Sequence, residues 1–313
     1  MKELISEYYP FEKYQAILRF SFDGMGKNSS AKMQNVCLLT LRKFIQTFPK
    51  EIASSKQYLN QTLDLMKQKI KELDCDKIIK TGICRCLSSL FQHYKLGSND
   101  LSFFLDSLAH KLKIEVEKIY IIETLKCFGK QQSVNSDVHR SLENVIRQCS
   151  ENLGSSNYEL NIKAVETIDH LLEIMGSKCP PKLMEELLDR SKLLLGEGRI
   201  PTFVRHIGDF HPKLLKPYAE LIVKSTESRY IVSLISNKVI DINNALSILK
   251  TIDQEKAKKV SETIGLMRLD EKYLLKEVHE DPWGRIMVVA LGYVGSEHTL
   301  PDLYKFLANF RSD

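Results

Sequence analysis

Apolar residues in this chain recur with the period of an α-helix almost from end to end. In the run from Ile78 to Phe91 they fall at 79, 83, 86, 87, 90 and 91, positions that share one helix face. Leu160, Ala164, Val165, Ile168, Leu171, Leu172 and Met175 form a second stripe of the same kind. No alternating run rich in Val, Ile and Thr and bounded by hairpin turns occurs, so the pattern predicts no sheet.

Turn formers and capping residues punctuate these stripes. Gly97-Ser98-Asn99-Asp100 is expected to close one helix and cap the next. The same device recurs at Gly129 with Asn135-Ser136-Asp137, at Gly154 to Asn157, and at Gly176 to Pro181. It continues at Gly208, Pro212, Asn243-Asn244, Gly265 and Asp281-Pro282. The spacing predicts roughly 15 helices, or seven to eight helical hairpins. Three segments, Lys118 to Gly129, Lys163 to Gly176 and Gly284 to Gly295, share an apolar stripe closed by glycine, and their starts lie 45 and 121 residues apart. The second offset is about three units of roughly 40, within reach of the period of HEAT and armadillo repeats.

The C-terminal segment adds a motif. Pro282-Trp283-Gly284-Arg285 leads into Ala290-Leu291-Gly292-Tyr293-Val294-Gly295, and Leu300-Pro301-Asp302-Leu303 follows. This resembles the HEAT-like, armadillo-type helical repeat of phycobilisome-lyase-type and many prokaryotic scaffold proteins. It departs from the family at Gly284, where a basic residue is usual; here Arg285 stands one place later. The resemblance implies an all-α, right-handed α-solenoid. On that basis residues 1–50 are expected to form an N-terminal helical cap. Residues 51–176 would then be basic-to-neutral repeats, and 177–313 C-terminal repeats. The strongest break lies near Gly176 to Pro181, and Gly196-Glu197-Gly198-Arg199-Ile200-Pro201 predicts a zone of short elements.

Composition agrees with helices joined by short loops: glycine (14) and proline (9) are both scarce. Net charge is only +5, but residues 1–150 carry +7 and residues 151–313 carry −2. A plain solvated surface accounts for this excess, and the alternative is an acidic or polyanionic partner that meets the N-terminal half. Seven cysteines at irregular spacing, several inside apolar runs, read as reduced thiols used as small hydrophobes. Glu3 and Glu7 interrupt the stretch a signal peptide would need, and the apolar run Ile286 to Val294 is too short to span a bilayer. The expected compartment is the cytoplasm, or the nucleus in a eukaryote.

Candidate chemistry is sparse. Gly24-Met25-Gly26-Lys27-Asn28-Ser29 lacks the spacing of a phosphate loop and reads as a turn. Cys84-x-Cys86 with His93 lacks the Cys-x-x-Cys spacing of a zinc site, and His206 and His211 lack acidic partners. His279-Glu280 is the type of pair that deoxyhypusine hydroxylase, a HEAT-like enzyme, supplies from several repeats to two irons. Here there is one such pair, and Glu297-His298 is reversed. No nucleophile elbow or Cys/His pairing stands out. A basic cluster is formed by Lys67, Lys71, Lys77, Lys80 and Arg85, with Lys69 between and Asp74 and Asp76 inside it. Local helix stabilisation explains the cluster, and contact with an acidic partner or polyanion is the functional alternative. Tyr8, Tyr9, Phe11 and Tyr14 are expected to plug the open end of the stack.

These readings converge on a non-catalytic scaffold that presents a concave helical surface to a protein partner, one with an acidic segment. A nucleic-acid-binding solenoid using the basic half is the first alternative, and an enzyme on the same fold the second. No cofactor, metal, membrane or small-molecule substrate is expected.

Overall fold

The computed structural model describes residues 11–26, 29–71, 76–114, 118–197 and 199–225, and then 231, 234–235, 239–251 and 260. The motif from Pro282 to Leu303, His279-Glu280, Glu297-His298, Tyr8, Tyr9, Asp74 and Cys75 lie outside these residues. The described residues contain helices and no strand. None of their helices is long and apolar enough to cross a membrane. The chain divides into two compact units, residues 1–179 and 180–313.

In the first unit the α-helices are α1 (Gln15–Asp23), α2 (Ala31–Thr47), α3 (Pro49–Ser54), α4 (Lys56–Lys71) and α5 (Lys77–His93). They continue with α6 (Ser98–Ile114), α7 (Ile119–Lys126), α8 (Ser136–Ser150) and α9 (Tyr158–Met175). Capping side chains mark several starts, at Asn135 and Asn157 where the sequence predicts them and also at Ser30 and Asp76. Ser30, Asp76, Asn135 and Asn157 each accept a hydrogen bond from a backbone N–H in the first turn of α2, α5, α8 and α9. Gly176 closes α9 with φ of +56°, where an L side chain would be strained.

Packing sorts these helices into two rows. Helices α2, α5, α7 and α9 pack one against the next, and so do α4, α6 and α8. Consecutive pairs α4/α5, α6/α7 and α8/α9 join the rows. The stripe residues predicted on α5, Ile79, Ile83, Cys86, Leu87, Leu90 and Phe91, are all buried between the rows. Phe91 meets Phe104 of α6 and Phe128 beyond α7 at ring centroid distances of 6.3 and 5.7 Å. All three rings are completely buried, so each contributes about 3–5 kcal/mol against truncation to alanine.

Hydrogen bonds between successive members of the first row recur at similar chain offsets. Cys86 Sγ donates to the Leu38 carbonyl, Thr124 Oγ1 to that of Cys84, and Thr167 Oγ1 to that of Ile122, across 48, 40 and 45 residues. Each is a small donor on one helix reaching the backbone of the helix before it. At the start of the unit, Phe11 and Tyr14 pack against Phe44, Phe48 and Tyr58, with centroid distances of 5.5–6.1 Å.

In the second unit, α10 (Pro181–Gly196) is followed by short elements. These are α11 (Val204–Phe210), a 3-10 helix over Pro212–Tyr218, α12 (Ala219–Ser225) and α13 (Ile242–Lys250). Tyr218 donates to Asp189 Oδ1 at 2.8 Å, and Lys192 lies 2.8 Å from the same oxygen. Lys192 and the Tyr218 hydroxyl hold the Asp189 carboxyl below its usual range.

Candidate functional site

The five predicted cations divide between two environments. Lys67 and Lys71, one turn apart on α4, both reach α6. Lys67 Nζ is 2.6 Å from Asp100 Oδ1 and 3.8 Å from Asp64 Oδ1, and Lys71 Nζ stands 5.5 Å over the Phe103 ring. Lys69, between them, is buried and donates to Gln34 Oε1 on α2 at 3.2 Å. These lysines tie helices together. Lys77, Lys80 and Arg85 sit on α5, where Lys77 and Arg85 are exposed and Lys80 is half-buried. Asp76, which interrupts the cluster in sequence, uses its carboxylate to accept the Ile78 N–H at 2.8 Å.

The exposed side of the first row has two halves of different chemistry. Across α7 and α9, charges pair between helices. Lys163 lies 3.3 Å from Glu123, Lys126 2.7 Å from Glu166, and Lys130 2.6 Å from Glu173. Such exposed pairs each contribute under about 1 kcal/mol, but each of these three cations is matched by a glutamate.

Between α2 and α5 themselves no such pair can form. Both helices are 17 residues long and neither contains an Asp or Glu. They carry Lys32, Arg42, Lys43, Lys77, Lys80 and Arg85. The side chains of Lys32, Lys43 and Arg85 have no hydrogen-bond or ion-pair partner among the described residues. Six of the ten exposed large hydrophobic residues described lie on α1, α2 and α5, so exposed apolar surface is concentrated there. They are Ile17, Phe20, Met33, Val36, Leu39 and Ile78, each 40–58% exposed. Helix α1 packs on α2, and α2 on α5. Two glycines permit the close approach: a Cβ on Gly24 would fall 2.4 Å from Cys37 Sγ, and one on Gly82 2.8 Å from Leu38 Cδ1.

Lys32, Lys43, Val36 and Leu39 were not legible as site residues from charge summed over halves of the chain. The local signal is the absence of any carboxylate over residues 24–50 and again over 77–99. The helical spacing of Met33, Val36 and Lys43 puts them on the side of α2 opposite Leu38, Leu41 and Ile45.

Other candidate chemistry is absorbed by packing. Cys84 and Cys86 are both buried, and burial pushes the Cys86, Cys149 and Cys179 thiols up to about 12. His206 is buried and stacks on Phe210 with centroids 6.3 Å apart. Among the described residues no group of three or more His, Cys, Asp or Glu side chains is placed to hold a metal ion. A cavity of about 580 Å³ beside α12 and α13 is lined by Lys216, Glu220, Asp241 and Asn244. Its carboxylates already have partners, Lys224 for Glu220 and the Asn244 N–H for Asp241.

No protein-family model matches the chain, and no curated protein matches it. Among solved structures it is similar to an engineered protein from a structural genomics consortium. The two are 11% identical over 92% of this chain and 81% of that chain, with a TM-score of 0.44.

Proposed function

We propose that the chain is a HEAT-like helical-repeat scaffold, a right-handed α-solenoid, that binds another protein and has no catalytic centre. The reading is carried by the recurrence of one interhelix bond, from Cys86, Thr124 and Thr167, at offsets of 48, 40 and 45 residues. Those offsets centre on the repeat length of HEAT and armadillo units. A stack of such units offers a long surface to an extended partner, and affinity accumulates from many modest contacts. A nucleic-acid-binding solenoid is the second reading, favoured by the six cations on α2 and α5, two helices whose own sequences contain no Asp or Glu. The aliphatic side chains between those cations favour protein, because phosphate offers them nothing to bury against.

Affinity capture from a native lysate, with and without nuclease, tests the reading. A stoichiometric protein partner that persists after nuclease treatment supports it. Loss of all partners on nuclease treatment, with direct binding to duplex or single strands that weakens steeply with salt, overturns it in favour of nucleic acid.

A further inference from the structure

We infer that the exposed face of α1, α2 and α5 docks an acidic amphipathic helix of a partner protein. The inference rests on the reading of the chain as a protein-binding scaffold and names the surface and the chemistry of its occupant.

Two independent properties coincide on this face. The first is apolar. Met33 and Val36 lie one turn apart on α2 with Leu39 beside them, flanked by Ile17 and Phe20 of α1 and Ile78 of α5. Each is roughly half exposed, and covering them would remove apolar area from water at about 25 cal/mol per Å². The second is charge. Lys32, Lys43 and Arg85 stand on the same helices without partners among the described residues. No carboxylate on α2 or α5 offsets them. The neighbouring α7/α9 half shows what the row looks like when it completes itself: every cation named there finds a glutamate across the helix gap.

The occupant that matches both properties is a helix with an apolar stripe and flanking Asp or Glu. Its stripe would lie along Met33, Val36 and Leu39, and its carboxylates would reach Lys32, Lys43 and Arg85. A second copy of this chain fits poorly, because face-to-face pairing would set like charges against each other. Nucleic acid would use the cations and leave the aliphatics unpaired. A bilayer needs side chains that stand clear of the surface. These are only 40–58% exposed.

The test uses the full chain and a labelled synthetic peptide of about 18 residues, long enough for five helical turns. The peptide carries Leu and Phe at helical spacing and Glu elsewhere. Controls are a scrambled peptide of the same composition and a version with Lys for Glu. Fluorescence anisotropy at low and moderate salt is expected to show saturable binding of the acidic helix. Binding by the scrambled peptide should be at least about tenfold weaker, and the Lys version should not bind. Val36→Glu and Arg85→Glu, both at exposed positions, should each weaken the acidic peptide at least about tenfold while circular dichroism and urea midpoints stay unchanged. Equal binding of scrambled and ordered peptides overturns the proposal. So does binding indifferent to Val36→Glu and Arg85→Glu. So does tighter binding, lost in the same variants, to duplex DNA or to phosphatidylserine vesicles. Capture from lysate with the Val36→Glu chain separates the two levels. Unchanged protein partners sink this surface and leave the scaffold reading standing, whereas no protein partner for either chain sinks the scaffold reading itself.

Discussion

The hydroxyl of Thr124 on α7 donates to the carbonyl of Cys84 on α5 at 3.2 Å, across 40 residues of chain. Its single proton is shared with the Tyr120 carbonyl of its own helix, which lies at 2.8 Å. Thr167 repeats the interhelix bond one helix on, at 3.3 Å from the Ile122 carbonyl. Both threonines are completely or almost completely buried, so no water competes for either bond.

Replacing each threonine by valine keeps shape and removes the donor. Thr124→Val and Thr167→Val are expected to cost about 1 kcal/mol each, the usual net value of one hydrogen bond. The acceptor carbonyls keep their own helical bonds, which holds the penalty at the lower end. Urea unfolding followed by circular dichroism would read this as a lowered midpoint at constant slope.

The helices were legible because the stripe on α5 and the caps at Asn135 and Asn157 are local signals, and local signals survive in a single sequence. The ties between helices were not. Nothing in the sequence marks Thr124 as the partner of Cys84, since both look like ordinary members of a stripe. The basic cluster shows the same limit from the other side. Lys67 and Lys77 are neighbours in sequence, yet Lys67 turns to Asp100 on α6 while Lys77 is exposed on α5. What sequence could have offered was the pair of carboxylate-free stretches over 24–50 and 77–99, hidden when charge is summed over 150 residues.

Gln132 closes the end of α5. Its side chain accepts from the Leu96 N–H at 3.0 Å and donates to the carbonyls of Phe91 and Tyr94 at 3.0 and 2.6 Å. Because Gln132 and Leu96 are both buried, Gln132→Ala strands an amide and a carbonyl away from water. A loss of about 2–3 kcal/mol is expected. Gln131 also donates to Phe91 and Gln92 but is exposed, so solvent replaces it and Gln131→Ala should cost under about 1 kcal/mol. Equal effects of the two variants would contradict the capping role.

Gly82 lets α5 lie against α2. A Cβ there would meet Leu38 Cδ1 at 2.8 Å and Leu38 Cβ at 3.2 Å, and Leu38 is completely buried. Alanine gains about 1 kcal/mol of helix propensity, but overpacking costs about 1–3 kcal/mol. Gly82→Ala should therefore be destabilising on balance. Gly196, at the end of α10, has open space where its Cβ would be, so Gly196→Ala should be neutral or stabilising. Thermal midpoints of the two variants should move in opposite directions or differ by several degrees.

Buried thiols make the first unit sensitive to alkali. Cys86, Cys149 and Cys179 are at most 1% exposed, and burial raises each from 9.0 to about 12. Below pH 9 the thiols are protonated in both folded and unfolded chains and add no pH dependence. Between 9 and 12 the unfolded chain releases protons that the folded chain keeps, so stability falls as pH rises. Each thiol contributes a slope of about 1.4 kcal/mol per pH unit. Urea midpoints are expected to hold steady from pH 7 to 8.5 and to drop steeply by pH 10. Lysine titration also weakens ion pairs in this range, so the discriminating measurement is a difference. Cys149→Ala starts less stable because it leaves a cavity, but it removes one titrating thiol. Its stability should therefore fall less steeply between pH 9 and 10.5 than that of the unmodified chain. Parallel slopes would mean that Cys149 is not held protonated by the fold.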